Sequence, residues 1–210
     1  MEQIIFYLGI GMFILSTIMF FFLKKKNAKL ASINIIVSFV TIVSYILMLS
    51  GLFTLSATSG DTIYWTRWAF YAVSCSFLMV EISYLLRIDN TTRLEILVFN
   101  SMVMITGLFA SISEDLYKWL FFIISSVAYL NVLFLIAKNR SEKKAIILFV
   151  AIFWSGFPIV WILSPAGLMV LNAFWTALFY LVLDFITKIY FGFHTTFKHI
   201  EQLEHHHHHH

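Results

Sequence analysis

One cysteine, Cys75, is all that the sequence contains, which excludes an intrachain disulfide and any thiolate-rich metal cluster. Charge is scarce as well. Asp, Glu, Lys and Arg make up 12% of the residues, against roughly 25% in an ordinary soluble domain. The net charge of +3 comes from basic residues in short segments beside apolar runs, and no basic stripe with interleaved stacking aromatics is present. That pattern bears on membrane topology and excludes a nucleic-acid reader. The first apolar run has no basic n-region before it and no small-residue cleavage site after it, so it is expected to remain as a helix. Histidine is limited to His194 and His199 once residues 203–210, Leu-Glu followed by six histidines, are set aside as an expression scar and purification tag.

What is abundant is apolar surface, 60% of the residues, and this identifies an integral, multi-pass membrane protein. Dividing the chain at its polar clusters leaves seven apolar stretches: Ile4 to Leu23, Ala31 to Leu52, Ile63 to Leu86, Leu94 to Ser111, Leu116 to Ala137, Ala145 to Leu163 and Leu168 to Phe193. Each is close to the roughly 20 residues that span a hydrocarbon core as a helix. Short connections imply an all-α fold, a single seven-helix bundle over residues 1–202. Thr54 to Thr62, rich in Ser, Thr and Gly, is the longest connection, suited to a hairpin or an irregular cap. Basic residues fall in alternate connections: Lys24, Lys25, Lys26 and Lys29, then Arg87 and Arg93, then Lys138, Arg140, Lys143 and Lys144, and finally Lys198, with Lys118 alone on the other side. The positive-inside rule then puts the amino terminus outside and the carboxy terminus in the cytoplasm.

Against this apolar background Lys188 and Asp184 stand out, one helical turn apart in the last span. An isolated charge at membrane depth costs several kcal/mol, so a pair at i and i+4 reads as a working ion pair. The bland alternative is a pair that only fixes helix packing. In the third span Arg67, Phe70, Ser74 and Glu81 fall within about 60° of one another at 100° per residue, forming one stripe that is expected to face the pair. Glu81 lies about 21 Å deeper than Arg67. A buried lysine can act as a Schiff-base nucleophile toward a carbonyl ligand, and the resulting cation needs an anion, for which Asp184 is the carboxylate available between Leu168 and Phe193. In the sixth span Trp154 and Trp161 lie seven apart, with Phe157 and Pro158 between them. Proline kinks a helix, and the tryptophans can share a face, which suits a slot for a flat polyene.

The run Trp154, Phe157, Pro158, Trp161, followed by Leu183-Asp184-Phe185-Ile186-Thr187-Lys188, resembles helices six and seven of the microbial rhodopsins. Arg67 stands in the place of the family's arginine, and the motif positions of helix three fall on Phe70, Ser74 and Glu81. The resemblance covers all seven helices and implies all-trans retinal bound as a Schiff base to Lys188, with Asp184 as counter-ion. In outward proton pumps the position of Phe70 is an aspartate that accepts the Schiff-base proton, which a phenyl ring cannot do. Phenylalanine, serine and glutamate in this order resemble the schizorhodopsins, an archaeal group of light-driven inward proton pumps. Leu168 to Thr176 contains no glutamate for a proton-release group, and Ser76 replaces the helix-three proline of the outward pumps.

The resemblance thus implies a transporter and not an enzyme, with proton release toward the cytoplasm helped by Glu81 and reprotonation from outside past Arg67 and Asp184. Whether Glu81 would hold the proton or open a polar path to water stays open. Carried over position by position, the pocket residues are Tyr71 and Cys75 on helix three, Asn100 and Gly107 on helix four, and Phe122, Ser126 and Tyr129 on helix five, with Thr187 before the lysine. For each, simple packing is the competing reading. The resemblance favours a homotrimer among membrane lipids. Two other classes remain in play: a photosensor that signals to a partner without net transport, and a retinal-free membrane protein.

Overall fold

The computed structural model describes residues 1–138 and 143–207. Seven helices in it are long and apolar enough to cross a membrane. Helix one is Glu2–Leu23, helix two Ala28–Ser50, helix three Thr66–Leu85, helix four Asn90–Ile112 and helix five Asp115–Ala137. Helix six runs over Lys144–Leu163 and helix seven over Ala173–His206. Arg140 lies outside the described residues. An odd number of spans leaves the two termini on opposite faces, called here the amino-terminal and carboxy-terminal faces.

Local chemistry explains where the helices begin. Asn27 and Asp89 act as N-caps, accepting the amide hydrogens of Leu30 and Thr92 at 3.2 and 3.1 Å. Helix seven begins at Ala173 and not at Leu168, because Asn172 caps it by accepting from the Trp175 amide at 2.9 Å. The residues before it fold back on the end of helix six through Leu168 N to Ile162 O and Leu171 N to Leu163 O. Helix three likewise starts at Thr66, since Thr62–Ile63 pairs with Leu55–Ser56 as a two-stranded hairpin. Asp61 in that hairpin accepts the Ala173 amide at 3.2 Å, so the hairpin lies over the start of helix seven. At its other end helix seven continues well past Phe193.

Two interruptions shape the interior. Helix six is split into Lys144–Phe153 and Gly156–Leu163. Proline at i lacks the N–H that would bond the carbonyl at i−4, so Pro158 leaves the Trp154 carbonyl free. The Phe157 amide takes it instead at 3.2 Å. The break therefore sits at Trp154–Ser155, one turn before the proline. At Gly156 a Cβ would come within 2.7 Å of Leu183 Cδ2, so the absent side chain lets helix six approach helix seven. Helix seven carries the second interruption, a π-helical segment at Phe185–Tyr190. Such segments are rare and cluster at functional sites. One apolar cluster joins helices two to seven, and a smaller one joins helices one, two and seven.

Candidate functional site

The π-helical segment holds Lys188, whose ammonium is buried and lies 2.8 Å from Asp184 Oδ1. Three further groups converge on the same carboxylate. Tyr71 donates to Oδ1 at 3.0 Å and Tyr45 to Oδ2 at 2.7 Å, while Arg67 Nη1 lies 3.6 Å from Oδ2. Arg67 also donates to the Tyr71 hydroxyl at 3.2 Å and packs 4.4 Å from the Tyr180 ring centre. Two cations and two phenols thus surround one carboxylate. Removing the carboxylate would leave both cations buried without their partner, at a cost of about 3–5 kcal/mol.

The helix-three stripe is brought to this site in part. Arg67 and Ser74 are buried, and Glu81 is buried completely. Phe70 is half-buried, and it is its neighbour Tyr71 that bonds Asp184. Cys75 is buried on the same side of the helix as Tyr71. Tyr45 escaped the sequence reading, yet Asn34, Ser38, Thr41 and Tyr45 repeat at i, i+4, i+7 and i+11 and all are buried. A polar stripe at helical spacing inside an apolar span was the signal that could have found it.

Beside Lys188 lies the aromatic slot. The Lys188 ammonium is 5.2 Å from the Phe157 ring centre and 4.6 Å from that of Tyr71. From Phe157 a cavity of about 50 Å³ extends toward helices four and five. Its walls include Asn100, Gly107, Phe122, Ser126, Tyr129, Trp154, Pro158 and Trp161, with Trp68, Val103 and Met104 as lining residues that the sequence did not single out. Trp161 stacks on Phe122 with ring centres 4.9 Å apart and donates its indole N–H to Ser111 at 2.9 Å. Tyr129 and Ser155 share a hydrogen bond at 2.9 Å. Buried Thr187 donates to the Leu183 carbonyl at 2.7 Å, alongside the π-helical segment. An amine at one end of a flat, aromatic-walled space fits a linear polyene aldehyde condensed on Lys188.

Glu81 occupies a separate cluster toward the carboxy-terminal face. Its Oε1 accepts from Asn34 Nδ2 and from Thr195 Oγ1, both at 3.1 Å, while Oε2 is among the buried atoms without a partner. Helix seven reaches this cluster because residue 192 is glycine. A Cβ there would collide with Asn34 Oδ1 and lie 3.0 Å from Phe20 Cζ.

Comparison with known proteins agrees with this geometry. The family model for bacteriorhodopsin-like proteins matches residues 1–202. The crystal structure of schizorhodopsin 4 superposes with a TM-score of 0.92 at 97% identity, covering 94% of this chain and 100% of that one. Archaerhodopsin-2 of Halobacterium sp. (strain aus-2) is 26% identical over 89% of this chain and 82% of its own length. The halorhodopsin of Natronomonas pharaonis is 27% identical over 89% and 77%. The chain therefore belongs to the bacteriorhodopsin-like family of microbial rhodopsins, within its schizorhodopsin group, and carries retinal as a Schiff base on Lys188.

Proposed function

We propose that this family member is a light-driven pump that moves protons inward, from the amino-terminal face to the carboxy-terminal face. The orientation rests on the basic residues of the carboxy-terminal face, which put that face in the cytoplasm by the positive-inside rule. The observation that carries the direction is the distribution of carboxylates around Lys188. Asp184 sits against the amine, a phenyl ring occupies position 70, and the next buried carboxylate is Glu81, displaced toward the cytoplasmic face.

Retinal supplies the absorption of light and the isomerisation that turns the proton-bearing Lys188 nitrogen. Everything else falls to the chain. Asp184 is the counter-ion, and Tyr45, Tyr71 and Arg67 hold its charge in place. Two phenols and two cations occupy its oxygens on the outer side of the amine, which biases release toward the other side. Glu81 offers a carboxyl group on the other side, within a polar cluster made by Asn34 and Thr195. Ser74 lies buried one helical turn beyond Phe70, between the amine and Glu81 along helix three. The proton returns to Lys188 from outside, past Arg67 and Asp184. Trp154, Phe157, Pro158 and Trp161 hold the chromophore, with Asn100, Gly107, Phe122, Ser126 and Tyr129 along its far end. Cys75 and Thr187 flank the amine. The functional unit in the archaeal membrane is a homotrimer.

Illumination of a cell suspension expressing the protein tests this reading. A protonophore-sensitive rise in external pH supports inward pumping. A fall reverses the direction, and no steady change favours a photosensor.

A further inference from the structure

At the amino-terminal face one carboxylate is partly withdrawn from the surface. Glu2 opens helix one, and its side chain is only 16% exposed. Tyr64, just after the hairpin, donates to Glu2 Oε1 at 2.9 Å, while Oε2 lies 3.7 Å from the exposed Met1 ammonium. One oxygen thus meets a phenol of the bundle and the other meets the surface. The Tyr64 ring is held edge to face by the fully buried Phe6, with ring centres 4.8 Å apart.

Tyr64 also lines a cavity of about 30 Å³, with Thr62 and Ile63 of the hairpin in its wall. A water needs roughly 10–15 Å³ of such space, so the cavity has room for about two. Thr176 and Arg67 line it as well. The Thr176 hydroxyl oxygen is buried without a partner among the described residues, and a buried polar atom of that kind calls for a water. Arg67 leads on from the cavity, since its Nη1 lies 3.6 Å from Asp184 Oδ2 and Asp184 Oδ1 lies 2.8 Å from the Lys188 nitrogen. Glu2, Tyr64, the cavity and the Arg67–Asp184 pair therefore join the surface to the amine in that order.

We infer that Glu2 is the entry carboxyl for the returning proton, and that Tyr64 passes the proton into the cavity beside Thr176 and Arg67. The inference rests on the inward direction proposed above. In the step itself the Tyr64 hydroxyl gives its hydrogen to water in the cavity and accepts the carboxyl hydrogen of protonated Glu2. Water then gives up a hydrogen in its turn past Arg67 and Asp184 to the Lys188 nitrogen. Each transfer breaks one O–H bond as it forms another bond to hydrogen, and Glu2 is left as a carboxylate to be reloaded from outside.

Time-resolved absorption of the retinal-bound protein after a flash reads reprotonation of the Lys188 nitrogen as loss of the blue-shifted, deprotonated form. Glu2→Gln keeps an acceptor for Tyr64 but carries no proton, and Tyr64→Phe keeps the carboxyl but cuts the link. Each should slow reprotonation about tenfold, less than the roughly 10²–10⁴-fold contributed by a positioned proton donor, because water still enters. Added azide, a small weak acid, should restore the rate in Glu2→Gln, as it would not after a merely structural lesion. Glu114→Gln, at an exposed carboxylate on the same face, should leave the rate unchanged. An unaltered visible band in the dark shows that each variant is folded. A rise in external pH from illuminated cells of the parent protein, with unslowed reprotonation in Glu2→Gln, overturns the entry route alone. Slowing that azide does not relieve, or equal slowing in Glu114→Gln, overturns it too. A fall in external pH from the parent overturns the direction and this route with it.

Discussion

Gly192→Ala is the most revealing single-atom perturbation of the Glu81 cluster. The added Cβ would collide with Asn34 Oδ1 and come within 3.0 Å of Asn34 Cγ and Phe20 Cζ. Phe20 cannot easily give way, because it is fully buried and stacked on Phe193 with ring centres 4.1 Å apart. The strain therefore falls on Asn34, whose Nδ2 leaves Glu81. Overpacking costs about 1–3 kcal/mol, and loss of the hydrogen bond adds about 1 kcal/mol. At about 2–4 °C per kcal/mol for a chain of this size, the loss is visible in thermal bleaching of the chromophore band. Asn34→Ala alone loses the hydrogen bond but not the packing. The double variant removes the colliding amide, so its cost should fall short of the sum of the two singles by about 1 kcal/mol or more. Distant, independent sites add within about 0.3–0.5 kcal/mol. Additivity within that margin would refute the close approach of helix seven to Asn34.

Other outcomes follow from the same geometry. Lys188→Ala should show no visible band after addition of all-trans retinal, checked by absorption of the purified protein. Asp184→Asn should shift the band and destabilise the fold by about 3–5 kcal/mol, since it removes the carboxylate between two buried cations; unchanged colour and pumping would exclude it as counter-ion. Glu81→Gln keeps the shape and most hydrogen bonds of the side chain, so retained folding with loss of most inward flux is expected in the cell-suspension assay. At the helix-four cap, the bonds from Thr92 hold the Asp89 carboxyl below its usual value. Its contribution to stability is present above the unfolded value near pH 3.9 and fades as pH falls through the lower folded one. Asp89→Asn should abolish that acid-range slope in melting experiments while keeping the cap.

Seven spans were legible because apolar runs near 20 residues have few alternatives in a lipid environment. The boundaries were less so. Leu168 to Leu171 is as apolar as the helix it precedes, and the capping role of Asn172 emerges once Trp175 is seen to donate to it. Pro158 announced a kink, but its place one turn earlier follows from which carbonyl the missing N–H leaves free. The Lys188–Asp184 pair was readable from spacing alone, since i and i+4 share a face. The phenols are harder: spacing makes Tyr71 a pocket neighbour and Phe70 part of the inward stripe, because an ideal angle does not register how side chains lean. Tyr45, Asn34 and Thr195 come from helices two and seven, and the meeting of Asn34 and Thr195 at Glu81 depends on close helix approach at Gly192, a long-range fact that no local pattern carries.

The central claim is a direction of charge movement set by Phe70 and Glu81. The sign of the photocurrent in a patch-clamped cell at zero membrane voltage, with symmetric pH, measures it most directly. Inward current in the parent protein, diminished in Glu81→Gln, is the predicted result. Outward current, or inward current that Glu81→Gln leaves unchanged, would contradict it.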